Sequence, residues 1–314
     1  MGRGETVVPV NNLFDEAFLR RLERLSILSR RAMAGQLQGE RRSPKRGQSV
    51  EFADFRPYAS GDDFRRIDWN AYARLERFFI KLFVEELYLN VHLLVDISRS
   101  MDWGEPNKLH YAVRAAAALG YIALAGLDRV TVTALGGVSG TVVPNVNGGT
   151  VVPGGVFPPH RGKHQAMALF TFLQSLTECG RVDLGSRLRA YAVAATQPGP
   201  LLLFSDLMDE NWADGLRALA GRGFEISVVH VLSPDETNPP FSGDLKLRDV
   251  ESGTEVEITA DYDLLARYRA GVTDWQNELR LFCGARGMHY IPVETTLPFD
   301  ELLFAWLRRQ GVLK

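Results

Sequence analysis

Five short apolar runs recur along the chain: "VHLLVD" at 91–96, "RVTVTAL" at 129–135, "PLLLFSD" at 200–206, "FEISVVHVL" at 224–232 and "MHYIPV" at 288–293. Between them lie stretches of helical length and spacing, at Lys108–Leu127, Gln165–Leu176, Ser186–Ala194, Trp212–Ala220 and Asp263–Arg286. A strand apolar at nearly every position is buried on both faces, and strands alternating with helices build a parallel sheet covered on both sides. The expected fold class is therefore α/β, a doubly wound, mostly parallel sheet. "LKLRDVESGTEVEIT" breaks the alternation with two period-2 runs around Ser252-Gly253, which predicts a β-hairpin insertion at about 241–260. A closing amphipathic helix is expected at Pro298–Gln310.

Upstream of the first run the chain changes character. Phe14, Phe18, Leu22, Leu25, Leu28 and Ala32 recur three or four apart, predicting an amphipathic helix over 13–34. Residues 13–49 hold nine Lys/Arg against four Asp/Glu, a local charge of +5. "EFADFRPYASGDDFRRIDWNAYARLERFFIKLFVEE" at 51–86 is dense in charge and aromatics and ends in a strand-like run, Phe78–Glu86. Three segments are expected: 1–48, a basic helix and linker; 49–90, the charged aromatic segment; and 91–314, the sheet domain. The 46% hydrophobic content over 314 residues is enough for a full core. A formal charge of -2 gives no global pull toward nucleic acid or membrane. Two cysteines, Cys179 and Cys283, form no disulfide framework or zinc spacing. No leader-type apolar run opens the sequence, and "AVRAAAALGYIALAGL" carries Arg114 within an alanine-rich buried helix. A cytoplasmic location is expected.

The chemistry gathers at strand ends. Asp96 closes the first run and is followed by Ser98 and Ser100; Asp206 closes "LLLFS". In an open parallel sheet, ligands bind beyond the carboxyl ends of the strands where strand order reverses. If the two strands are neighbours, both carboxylates converge there, with the serines opening the next helix. Hard oxygen donors without sulfur or imidazole suit Mg²⁺ or Mn²⁺. The competing reading makes these residues helix caps alone.

"VDISRSM", "FSDLMD" and the strand–helix alternation resemble a von Willebrand factor A domain with its metal-ion-dependent adhesion site. "EFADFRPYASGDDFRRIDWNAYAR" followed by "VDISRSM" is similar to the bacterial domain-of-unknown-function family fifty-eight, over most of 45–235. The resemblance implies that Ser98, Ser100 and a threonine of a second loop hold the ion, Asp96 and Asp206 acting largely through water, while a partner's carboxylate fills the last position. It also implies partnership with a MoxR-type AAA+ ATPase in maturing or assembling other proteins. The threonine is expected before the helix at Gln165, where "GGVFPPHRGKHQ" has none; Thr150 is the nearest. Arg161 or Lys163 would then neutralise the aspartates instead, leaving a site that is weak or empty of metal.

In the charged segment, Arg56, Asp62, Arg65, Asp68, Trp69 and Arg74 are candidate partner-binding residues; a structural ion-pair network fits the same residues. The expected function is a non-enzymatic protein-interaction module. The alternatives are a metal-dependent phosphoryl or ester hydrolase and a nucleic-acid or membrane-surface binder acting through the basic N-terminal segment. The hydrolase is disfavoured: Ser98 stands where an aspartyl phosphotransferase needs its second acid, and neither a phosphate-cradling glycine loop nor a serine elbow appears. The nucleic-acid reading lacks a recognition motif.

Overall fold

A computed structural model describes residues 13–29, 50–59, 64, 67–85, 88–136, 155–241, 243–248 and 255–314. The helices in chain order are α1 (Glu16–Leu22), α2 (Trp69–Leu75), α3 (Lys108–Ala125), α4 (Ala166–Gln174), α5 (Leu184–Ala194), α6 (Trp212–Gly221), α7 (Pro234–Thr237) and α8 (Tyr262–Gly284). The strands are β1 (Val50–Pro57), β2 (Phe79–Glu85), β3 (Asn90–Asp96), β4 (Arg129–Leu135) and β5 (Val156–Arg161), then β6 (Pro200–Ser205), β7 (Glu225–Leu232), β8 (Gly243–Arg248), β9 (Glu255–Ala260) and β10 (His289–Glu294). A C-terminal helical segment runs through Phe299–Glu301, Leu302–Trp306 and Leu307–Arg309. The chain divides into two units, Met1–Arg30 with Leu89–Lys314, and Arg31–Tyr88.

The larger unit is built on a six-stranded sheet of order β10-β7-β6-β3-β4-β5, parallel except for the edge strand β5. This is the doubly wound α/β sheet the alternation predicts. Side chains of each strand divide by parity between two cores, as the two-residue strand period requires. Leu93, Val95, Leu202, Phe204, Val229 and Ile291 face a layer containing α3, α4 and the C-terminal segment. Leu94, Leu201, Leu203, Val228 and Tyr290 face α5, α6 and α8. The helix α3 is apolar almost all round because it is enclosed; only His110 and Arg114 are exposed along its first two turns. Arg114 lies over the Phe299 ring at 4.8 Å, which gives its charge a partner at the edge of the core. Among the described residues no helix is long and apolar enough to cross a membrane.

The amphipathic N-terminal helix is shorter than its spacing predicts. Asp15 caps α1 through a bond from the Phe18 amide, and the helix ends at Leu22. The chain then runs extended along the C-terminal residues: Leu28 N donates to Val312 O, and Ile27 bridges Leu313. Leu22, Leu25 and Ile27 are all buried in the first core, so the apolar spacing is satisfied by a helix followed by a strap. Backbone pairing to a distant segment replaces helix at Ser26–Leu28, while residues 30–34 of the expected helix, with Ala32, lie outside the described residues.

In the smaller unit, β1 and β2 pair antiparallel with an irregularity between Phe52 and Asp54. Asp68 Oδ1 accepts from Asn70 N and Ala71 N, capping α2, and Tyr72 and Phe78 stack at 4.4 Å. The inserted hairpin β8–β9 pairs antiparallel, Leu245 opposite Ile258 and Leu247 opposite Val256.

Candidate functional site

Because β3 pairs with β6 on one side and β4 on the other, strand order reverses between β3 and β6. Val95 lies opposite Phe204, so the next residues, Asp96 and Ser205–Asp206, leave the sheet side by side. Ser205 Oγ donates to Asp96 Oδ2 at 2.5 Å, and Asp96 Oδ1 accepts the Ser98 amide at 2.9 Å. Ser98 Oγ and Ser100 Oγ are 3.0 Å apart. The four residues singled out from the sequence thus meet at one place.

Access is narrower than expected. Asp96 is 2% exposed, Asp206 1% and Ser98 5%, while Ser100 is half-buried and alone of the four opens to solvent. An outside protein therefore reaches the carboxylates only through something held at the serines. Leu207, directly after Asp206, takes φ 54°, a left-handed conformation rare for leucine. Two bonds hold it, Leu207 N to Ser205 Oγ and Met208 N to Asp206 Oδ1, and its side chain is buried in the second core. Such a conformation persists only where its surroundings over-determine it, and it is commonest at functional sites.

The neutralising cation is neither Arg161 nor Lys163. The edge strand β5 runs antiparallel, placing Arg161 opposite Arg129 at the start of β4, the end of the sheet remote from Asp96. There Arg161 Nε donates to Leu127 O, and Lys163 pairs with Glu23. The cation is Lys108, the first residue of α3. It is 0% exposed, with Nζ 2.8 Å from Asp206 Oδ2 and 2.5 Å from Glu236 Oε1. Burial pulls its pKa down, but Asp206 and Glu236 outweigh this and hold it above the ordinary lysine value. Sequence reading missed Lys108. Its one signal is a lysine at the start of an apolar helix, where the macrodipole disfavours positive charge.

The expected threonine loop is displaced for the same reason. The segment actually lying against the serines joins α4 to α5: Cys179 N donates to Ile97 O and Arg99 N to Gly180 O, both at 2.9 Å. Thr150 lies outside the described residues. Asp62 and Arg65 lie outside them too, as does the Arg56 side chain. Of the other expected partner-facing residues, Asp68 is buried as the α2 cap, whereas Trp69 and Arg74 are exposed.

Asp206 and Glu236 share the Lys108 ammonium, and Asp96 feels the charge of Asp206. Burial, then the charge of Asp206, push the Asp96 carboxyl up to about 7, while bonds from Ser205 and Ser98 pull it partly back. A hard cation beside the two hydroxyls would offset the repulsion between Asp96 and Asp206. Among the described residues no group of three or more His, Cys, Asp or Glu forms a metal cage, so such an ion would depend on Ser98 and Ser100. His230 supports the site from below: Nε2 meets Asp206 O at 3.0 Å and Nδ1 meets Tyr290 Oη at 2.7 Å. Burial lowers its pKa to about 4, keeping the ring neutral.

An uncharacterized protein of Mycobacterium bovis, Mb1516, is 28% identical over 298 residues, spanning 93% of this chain and 90% of that protein. The uncharacterized protein MAV169 of Mycobacterium avium is 29% identical over 162 residues, 50% of this chain and 95% of that protein. Among solved structures, the conserved hypothetical protein BatB of Bacteroides thetaiotaomicron aligns with TM-score 0.42 at 17% identity, over 71% of this chain and 98% of that chain. An aerotolerance-related membrane protein of Bacteroides fragilis aligns with TM-score 0.40 at 16% identity, over 71% and 98%. The family model described as "Protein of unknown function DUF58" matches residues 54–278, a span that takes in α2, the Asp96–Ser100 loop and Asp206, and the chain belongs to that family.

Proposed function

We propose that this chain is a non-enzymatic protein-interaction module with an adhesion-type metal site, related to that of von Willebrand factor A domains. Mg²⁺ or Mn²⁺ would sit against Ser98 and Ser100, balanced by Asp96 and Asp206. The observation that carries the reading is the meeting of these two acids and two hydroxyls at the reversal between β3 and β6, with Ser100 as the opening to solvent. Bound there, the ion supplies an electrophilic point for a partner's oxygen. This chain's own part is to orient the hydroxyls and to hold Asp206 in place through Lys108 and the Met208 amide. The family resemblance extends the proposal to the partner, a MoxR-type AAA+ ATPase that the chain would couple to client proteins.

A pull-down from cell extract with wild type and Asp96→Ala, with and without EDTA, tests this. Loss of an AAA+ partner in both the variant and the chelated sample, with circular dichroism unchanged, is the expected result. Equal capture under all conditions sinks the metal bridge.

A further inference from the structure

The inserted hairpin is amphipathic. Leu245, Leu247, Val256 and Ile258 share one face by register, while Asp244, Lys246, Glu255 and Glu257 share the other. The apolar face turns toward α8, yet its outer end remains bare: Leu247 is 44% exposed. A two-stranded hairpin is marginal by itself, and leaving leucine in water adds nothing to its stability.

Beside this face lies a cavity of about 390 Å³. Leu245, Leu247 and Ile258 form one wall, and Leu265 and Tyr268 of α8 another. The third wall is the rim of the site described above, with Ser100, Trp103 and Met208. Ser100 is thus at once the exposed member of the oxygen cluster and part of the cavity wall. Trp103 and Met208 sit on the two loops that carry the site, and Met208 is 48% exposed. The volume falls within the roughly 300–1,000 Å³ usual for ligand sites, far more than a bound ion or its waters need. It is large enough for a bulky side chain and the backbone beside it.

We infer that the cavity between the β8–β9 hairpin, α8 and Ser100 takes a bulky apolar side chain of a partner peptide, adjacent in that peptide to the carboxylate that seats at the serine pair. The occupant follows from continuity and charge. The cavity is continuous with the site through Ser100, where a cation would select an acidic group; its walls are mostly apolar and select leucine, phenylalanine or tryptophan, although Asp235, Glu236 and Arg248 also line it. Aromatic and aliphatic anchors in such a pocket carry most of the energy of peptide recognition. The inference rests on the metal-site reading for the acid and on the hairpin for the apolar residue.

A phage-displayed random peptide library panned on the intact chain in Mg²⁺ buffer tests both. The expected enrichment pairs Asp or Glu with Leu, Phe or Trp one to three positions away. The selected peptides should bind about tenfold more weakly to Leu247→Asp and to Phe241→Ser, both exposed positions at the cavity mouth, and not at all in EDTA. Urea midpoints of both variants should match wild type. Acid-dependent, EDTA-sensitive binding that is unchanged by both substitutions would overturn the pocket while leaving the metal site standing. Apolar peptides binding equally in EDTA would overturn the coupling of pocket to ion, and with it this proposal. No enrichment over uncoated plates would overturn it outright.

Discussion

Lys108 Nζ and Asp206 Oδ2 face each other at 2.8 Å with both side chains shut off from solvent. A buried pair of this kind adds little net stability, but removing one member strands the other charge in a low-dielectric interior. Lys108→Met should therefore lower stability by about 3–5 kcal/mol. Mg²⁺ should restore part of that loss, because the ion replaces the missing positive charge. Urea unfolding with and without the metal measures both.

Asp96 gives the opposite sign. Its pKa is 3.8 in an unfolded chain and about 7 here, so between those values the folded state keeps a proton that the unfolded state releases. Stability from this group therefore falls as pH rises from about 4 to about 7, and the full penalty applies above that. Asp96→Asn should stabilise the metal-free protein by about 1 kcal/mol at about pH 8, after allowing for the weakened bond from Ser205, and should give no gain near pH 4. The same substitution should abolish Mg²⁺ binding by titration calorimetry. A uniform loss of stability across that range would contradict this account.

His92 and His230 predict acid sensitivity. Each is buried, and each bonds a tyrosine hydroxyl at 2.7 Å and a backbone carbonyl at 3.0 Å. Burial drops both from 6.5 to about 4. The unfolded chain takes up protons first on acidification, so stability is intact above 6.5 and declines as pH falls toward 4. Each contributes on the order of 3 kcal/mol to that decline. Replacing His92 with glutamine should flatten the fall of the urea midpoint between those pH values.

Gly104 sits in the loop from Ser100 to Lys108 with φ +86°, and an added Cβ would lie 2.4 Å from Ser233 Cβ. Gly104→Ala should cost about 1–3 kcal/mol, through both the left-handed backbone and the clash. It should also weaken Mg²⁺ binding, because the loop that must shift carries Ser100. Thermal melting and calorimetry on the same sample check the pair.

The central strands could be read from sequence because burial on both faces leaves long apolar runs, and Asp96 and Asp206 were legible because each interrupts such a run at its end. Three things were not. The direction of β5 is set by pairing with β4, not by its own residues, and it carries Arg161 and Lys163 to the far end of the sheet. Lys108 meets Asp206 across 98 residues of sequence, a closure made by the packing of α3 and invisible in any local pattern. The early end of α1 depends likewise on a strap that pairs with Val312–Lys314.

That strap has a consequence for timing. Ile27 bridges Leu313, and both share the first core with Leu22, so this part of the core closes only with the C-terminal segment in place. Contacts of such sequence separation form slowly. On the ribosome, the segment carrying Phe14 and Phe18 is made well before Phe299 and Phe304, against which those rings pack, and they stay uncovered until then.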